Sequence, residues 1–166
     1  PAVLRPILLA CRENLRVEIQ YASLSNPEPE YRVIQPHTVV HSGLRWHVRA
    51  WCEKNSGYRD FVLSRIQDEP DISLAGEHGP EQDTAWQQTL TLDIIPDPRL
   101  SPAQQAVIAR DYGMTSGVLA VTCRAAMANY IVQLLRLDDQ NHREAIAQQV
   151  VLGNRKAIQK WLWKDN

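Results

Sequence analysis

The 166-residue sequence has few cysteines, and their spacing gives them no structural pattern. Cys11, Cys52 and Cys123 are odd in number, far apart and without a Cys-x-x-Cys pair. This usage argues against a disulfide framework and against a zinc site, because both need cysteines in pairs or at ligand spacing. It is typical of a reducing compartment, and we expect a cytoplasmic protein.

Long apolar runs and an excess of charge of one sign are also missing. No stretch of about 18 apolar residues occurs, so the sequence predicts no transmembrane helix and no membrane partner. The formal net charge is −1. This balance excludes the broad positive field of a strong nonspecific DNA binder, and any anion must therefore be bound locally.

The sequence lacks the short motifs that mark common enzymes. It has no Gly-x-Ser-x-Gly, Walker A or Gly-x-Gly-x-x-Gly pattern, and no His-Glu-x-x-His helix. Asp138-Asp139 is a pair of carboxylates, but it follows a predicted helix and is better explained as a turn or cap. We therefore expect no enzymatic activity, no catalytic residue, no metal site and no cofactor.

Alternation of apolar and polar residues dominates the first half of the chain and predicts five short strands. These strands span residues 15–24, 30–36, 38–41, 43–51 and 58–66. We expect a helical lead-in at residues 1–13 and a small β-barrel at 14–70. Asp, Glu, Gly, Pro and His then accumulate in residues 71–83, which we interpret as a linker.

The second half, residues 84–166, predicts helices alternating with strands. Ser101 and Pro102 have the chemistry of an N-cap and a first helical position, and Gly113 that of a C-terminal stop. The predicted elements are a strand at 86–95, a helix at 102–112, a strand at 118–124, and helices at 125–137, 142–152 and 154–163. This order favours a ferredoxin-like two-layer sandwich with terminal helices, and an α+β class for the whole chain.

Residues 36–66 carry an unusual surplus of cationic side chains, four arginines and three histidines within one predicted β-hairpin. Like charges that face each other across two strands are destabilising unless something neutralises them. An anionic ligand is the natural candidate. The alternative is that each arginine pairs with an acidic neighbour, such as Glu18, Glu53, Asp60 or Asp68.

The predicted hairpin register places Trp51 opposite Arg59 and Arg45 opposite Arg65. Arg45, Arg49, Arg59, Arg65 and His47 then share one face with Trp51 and Phe61, while Trp46, Val48 and Val62 share the other. Bidentate donors beside aromatic rings suit a phosphate with a stacked base better than a plain carboxylate. A slip of one residue would scatter these side chains.

The hairpin resembles the WYL domain, with Trp46-His47-Val48 in the place of the Trp-Tyr-Leu triplet. Its Arg-Trp-His-Val-Arg-Ala sequence is similar to that of the repressors of the phage-defence systems BREX and CBASS. LTLDIIPDPRLSPAQQAVIARDYGM, residues 90–114, is similar to the C-terminal extension of the same group.

This resemblance implies an Sm-like (SH3-type) barrel that senses an anionic ligand, and a ferredoxin-like extension that forms a homodimer. The implied ligand is a nucleotide or a short nucleic acid. The ligand-binding positions of the family fall on Arg45, His47, Arg59, Tyr21, His37, Arg49 and Arg65. From its own pattern Tyr21 also fits the core, because it continues the Leu15-Val17-Ile19 face, and His37 also fits a structural, hydrogen-bonded histidine.

The resemblance also implies where DNA binding would reside. Residues 1–14 are too short for the winged helix-turn-helix that begins the family's proteins, so operator DNA would be bound only through a region outside these 166 residues. The chain would then be the effector-sensing and dimerisation portion of a transcriptional regulator. The alternative function is a stand-alone Sm-like module that binds single-stranded nucleic acid.

Overall fold

The computed structural model describes residues 2–137 and 143–163, so the predicted turn at Asp138-Asp139 lies outside the described residues. The chain divides between Thr84 and Ala85 into two units, each with its own antiparallel sheet and hydrophobic core. The fold is therefore a mixture of helices and strands, as predicted. Within the described ranges no helix is long and apolar enough to cross a membrane.

The first unit is a five-stranded sheet with one helix against it. Its elements are α1 (Leu4–Glu13), β1 (Leu15–Tyr21), β2 (Glu30–His41), β3 (Trp46–Cys52), β4 (Gly57–Val62) and β5 (Asp71–Ala75). The strand order is β4-β3-β2-β1-β5, so the sheet is open between β4 and β5. Ile7 and Ala10 of α1 are fully buried in the core that Val17, Ile34 and Val48 share.

The two strands predicted at 30–36 and 38–41 are one strand, β2, with an irregularity between Pro36 and Thr38. Proline lacks a backbone N–H and therefore interrupts the ladder without ending the strand.

The segment 71–83, expected to be a linker, is part of the first unit. Its first residues form β5, which pairs with β1 and places Ile72 opposite Val17. The residues that follow are held by the buried side chain of Gln35, whose Oε1 accepts backbone hydrogen bonds from Glu77 at 2.7 Å and His78 at 2.9 Å. Its polar composition reflects an ordered surface segment, not a spacer.

The predicted register between β3 and β4 is wrong by one residue. Trp51 lies opposite Tyr58, Arg49 opposite Asp60 and His47 opposite Val62. Cys52 pairs with Gly57, so the turn takes up one residue fewer than the prediction assumed. Because side chains alternate between faces, this slip separates Arg59 and Phe61 from the face of Arg49 and His47.

The second unit is a three-stranded sheet with helices between the strands. Its elements, together with the short helix at the division, are α2 (Thr84–Gln87), β6 (Thr89–Pro96), α3 (Pro102–Asp111), β7 (Leu119–Arg124), α4 (Ala125–Leu134), α5 (Ala145–Gln148), β8 (Val150–Leu152) and α6 (Arg155–Ile158). The sheet order is β7-β6-β8, with both pairings antiparallel.

Helix α3 begins as predicted. The Ser101 hydroxyl accepts a hydrogen bond from the Gln104 backbone N–H at 3.3 Å, and the Gln104 side chain accepts one from the Ser101 N–H at 2.9 Å. This reciprocal pair satisfies two of the donors that a helix start leaves open. Gly113 follows the helix with a left-handed φ of 61°, which a glycine adopts without strain.

The helix predicted over 142–152 is wrong in its second half, and His142 itself lies outside the described residues. Helix α5 ends at Gln148, and Val150–Leu152 instead form β8 against Ile94–Pro96. Pairing with a strand distant in sequence overrides the local helical pattern here.

Candidate functional site

His47 lies at the start of β3 on the face of the sheet opposite α1, and only 2% of its surface is exposed. Its Nε2 is 3.2 Å from the hydroxyl oxygen of Ser42, in the turn between β2 and β3. Burial lowers the pKa of His47. The carboxylate of Asp60 opposes this effect, and the positive charges of Arg45, Arg65 and His41 add to it. A neutral imidazole is therefore favoured in the folded chain.

Arg45 and Arg65 thus lie close enough to His47 for their charges to affect its pKa. Arg45 is exposed in the turn before β3, and Arg65 is half-buried in the 3-10 turn Leu63–Arg65. Within the described part of the chain neither guanidinium forms an ion pair with a carboxylate. The structure therefore brings these three predicted site residues together, with Asp60 as the acidic group whose charge opposes theirs at His47.

Arg49 and His37 belong to a different arrangement, in which both contact the buried carboxylate of Asp83. Arg49 donates from Nε to Oδ2 at 2.7 Å and from Nη2 to Oδ1 at 3.0 Å. His37 Nε2 lies 3.2 Å from the same Oδ2. Arg49 also donates to Asp60 at 3.4 Å. For Arg49 the alternative of an acidic partner is therefore the correct one.

The buried pair of Arg49 and Asp83 favours the charged form of the arginine. Burial alone lowers the pKa of Arg49, but its hydrogen bonds and charge interactions with Asp83 and Asp60 outweigh burial and raise it. The side chain of Asp83 is 2% exposed and that of Arg49 10% exposed. A buried pair of this kind depends on both partners, because either charge alone would be left without solvation.

Tyr21 and Arg59 lie away from the cluster around His47. The Tyr21 hydroxyl accepts the backbone N–H of Val62 at 3.1 Å, and its ring meets Phe61 edge-on at 5.1 Å, so it is a core residue. Arg59 is exposed on the opposite face of β4 from Asp60. The predicted face of four arginines is therefore not formed.

Asp83 is not among the predicted site residues, and it lies 34 residues from Arg49 in the segment predicted to be a linker. Ser42 is likewise not among the predicted site residues, although its hydroxyl oxygen lies 3.2 Å from His47 Nε2. The signal that could have indicated Asp83 is the number of acidic residues in 71–83, because Arg49 is buried and needs a carboxylate partner.

Residues 76–83 form a strap across the same face of the sheet. The Tyr58 hydroxyl donates to the Gly79 carbonyl at 2.7 Å, and the rings of His78 and Trp51 stack in parallel at 4.0 Å. Burial raises the pKa of Tyr58, and Asp83 and Glu81 raise it further. The strap covers β3 from Trp51 to Arg49. The basic cluster, which consists of Arg45, His47 and Arg65, is therefore confined to the start of β3.

Comparison with known families agrees with this division of the chain. Residues 2–69 match the model of the WYL domain. This part of the chain is a WYL domain. Behind the WYL domain, residues 89–158 match the model described as "BrxR transcriptional regulator, C-terminal dimerization domain". The resemblance seen in the hairpin and in residues 90–114 is thereby confirmed.

Several relatives of this chain are described as "DNA-binding transcriptional repressor CapW". The protein from Escherichia coli (strain KTE188) is 40% identical over 162 residues, which cover 94% of this chain and 52% of the relative. The Stenotrophomonas maltophilia protein is 35% identical over 160 residues, 96% of this chain and 54% of the relative. The Pseudomonas aeruginosa protein is 39% identical over 153 residues, which cover 92% of this chain and 51% of the relative. The chain spans about half the length of the curated relatives it matches.

Proposed function

We propose that this chain is the effector-sensing and dimerisation portion of a DNA-binding transcriptional repressor, acting in a phage-defence system. The pairing of a WYL domain with a BrxR-type dimerization domain supports this proposal, as do the relatives described as repressors. Contact with operator DNA would reside outside the two matched domains.

The WYL domain binds its effector at the start of β3, through Arg45, His47 and Arg65. One observation carries this assignment, namely that Arg45 and Arg65 both act on His47 while, within the described residues, neither forms an ion pair with a carboxylate. Guanidinium groups are the preferred protein partners of phosphate, because their planar donors match its geometry. The effector is therefore an anion, in particular a nucleotide or a short nucleic acid.

Titration calorimetry with AMP, a dinucleotide and a ten-residue oligonucleotide tests this proposal. We expect Arg65→Gln to weaken binding by about tenfold or more, which corresponds to ~1.4 kcal/mol. Arg59→Gln is the matched control, because it removes the same charge from the opposite face and should leave affinity unchanged. Equal effects of the two substitutions would exclude the assigned site.

The dependence of affinity on ligand length separates a sensor from a module that binds single strands in its own right. An effector site saturates with a mono- or dinucleotide. A strand-binding module gains affinity with each added nucleotide and loses it steeply with salt, because several phosphates are engaged. Tight binding of the oligonucleotide alone would favour the strand-binding function.

The homodimer is proposed to form through residues 89–158. Sedimentation of the chain should show about twice the mass of 18.9 kDa at micromolar concentration. A monomer across the micromolar range would contradict this part of the proposal.

We also propose that the first unit is an Sm-like barrel. Past β4 the chain returns to β1, where Tyr21 pairs with Ile66, and the Gln67 N–H donates to the Gln20 carbonyl at 2.9 Å. These contacts support a strongly curled sheet. In the second unit the ferredoxin-like arrangement stays a prediction, because three strands are described there and that fold has four.

A further inference from the structure

A cavity of about 620 Å³ lies between α1 and the end of the hairpin, on the face of the sheet opposite His47. Its walls are Leu4 and Leu8 of α1, Val39 of β2, Arg45 and Trp46 at the start of β3, and Leu63 and Ser64 of the 3-10 turn. Five of these seven residues are apolar. This volume and lining are typical of small-molecule sites, which are mostly apolar with a few well-placed polar groups.

The cavity has two polar lining residues, Arg45 and Ser64. Arg45 supplies its cation and also acts on His47, so the cavity adjoins the basic cluster that we assign to the anion. Ser64, the other polar residue of the lining, directly precedes Arg65 in the 3-10 turn. Trp46 is 57% exposed although it is the largest side chain of the lining, and a flat ring can stack on its indole.

We infer that this cavity is the subsite for a flat ring carried by the effector, whose anionic group lies at Arg45. The ligand class is thus a phosphate- or sulfonate-like anion attached to an aromatic ring, and a bare anion fills only part of the site. The inference rests on the proposed function for the position of the anion. Beyond that function, the inference assigns a binding position to the ring of the effector and makes α1 one wall of the binding site.

A series of phosphates that differ only in their attached group isolates the ring. Inorganic phosphate and ribose 5-phosphate carry no ring that can stack, whereas AMP and 1-naphthyl phosphate do. Calorimetry on the full chain should show 1-naphthyl phosphate binding at least about tenfold more tightly than inorganic phosphate, a difference of ~1.4 kcal/mol. Equal affinity for all four compounds, or no binding of 1-naphthyl phosphate, would overturn the inference.

Two substitutions on α1 provide a matched pair. Leu8→Gln removes an apolar wall of the cavity, and Leu9→Gln makes the same change at a neighbouring position outside this lining. Both leucines are partly exposed, 48% and 39%, so both variants should fold. Leu8→Gln should abolish most of the advantage of the ring and leave phosphate binding unchanged, while Leu9→Gln should change neither.

These results also separate the inference from the proposed function. Ring binding that depends on Leu8, together with no binding of nucleotides, keeps the cavity and rejects a nucleotide effector. Nucleotide binding that depends on Arg65 but not on Leu8 keeps the anion site and overturns the inference. A change of sedimenting mass in Leu8→Gln without loss of the ring advantage would show that a second copy covers the cavity, which also overturns it.

Discussion

Replacement of Asp83 by asparagine removes one charge from the buried Arg49–Asp83 pair and nearly preserves its shape. Two hydrogen bonds, at 2.7 and 3.0 Å, join the two side chains, which are 10% and 2% exposed. Because so little solvent reaches either group, screening does not weaken the pair. The remaining carboxylate near Arg49, that of Asp60, is at 3.4 Å and compensates its charge only in part.

Removal of one partner of a buried ion pair typically costs about 3–5 kcal/mol. We expect Asp83→Asn to lie near the lower value, ~3 kcal/mol, because the amide oxygen still accepts one hydrogen bond. Urea denaturation of the full chain measures the loss, and hydrogen exchange of the β3 amides localises it to the first unit. Asp71→Asn is the control, because Asp71 is exposed on the edge strand β5.

A double substitution tests the electrostatic cause directly. When both partners of a buried pair become apolar residues of similar size, stability is often restored. We therefore expect Arg49→Met with Asp83→Leu to be more stable than Asp83→Asn alone. If Asp83→Asn lost less than about 1 kcal/mol, comparable to an exposed pair, the buried contact would not have the role that its geometry indicates.

Three smaller changes test other contacts. Tyr21→Phe leaves a buried backbone N–H without its acceptor and should lower the free energy of unfolding by about 1–3 kcal/mol, whereas Tyr31→Phe, 68% exposed, should not. The pKa of His47 is lowered in the folded chain, so the unfolded chain binds the proton more tightly and stability should fall as the pH drops below about 6.5. Arg65→Gln should raise this pKa in an NMR titration, and an unchanged value would mean that the two groups do not interact. Ser101→Ala should cost about 1 kcal/mol in thermal unfolding by loss of the helix cap, and no loss would argue against the cap.

Local chemistry predicted those parts of the fold that depend on neighbours in sequence. The start of α3 is an example, because the hydroxyl of Ser101 and the ring of Pro102 each favour one backbone position. The helix α1 and the alternation in β1 follow in the same way. These signals act within a few residues and need no knowledge of the rest of the chain.

The candidate site could be predicted only in part, because it depends on register and on distant partners. The cluster of Arg45, His47 and Arg65 follows from their common position at one end of the hairpin. The face of four arginines fails because a turn shorter by one residue moves Arg59 to the other side. Nothing in the residues around Arg49 could have indicated a partner on the strap.

The position of Asp83 has a practical consequence for cutting the protein into its parts. The match to the WYL domain ends at residue 69, and a fragment excised there would omit the strand β5, the strap and Asp83. Its Arg49 would keep a charge that was solvated by residues no longer present. The physical boundary therefore lies at Thr84, 15 residues beyond the boundary suggested by sequence similarity, and an independently folding WYL fragment of this protein should extend to that residue.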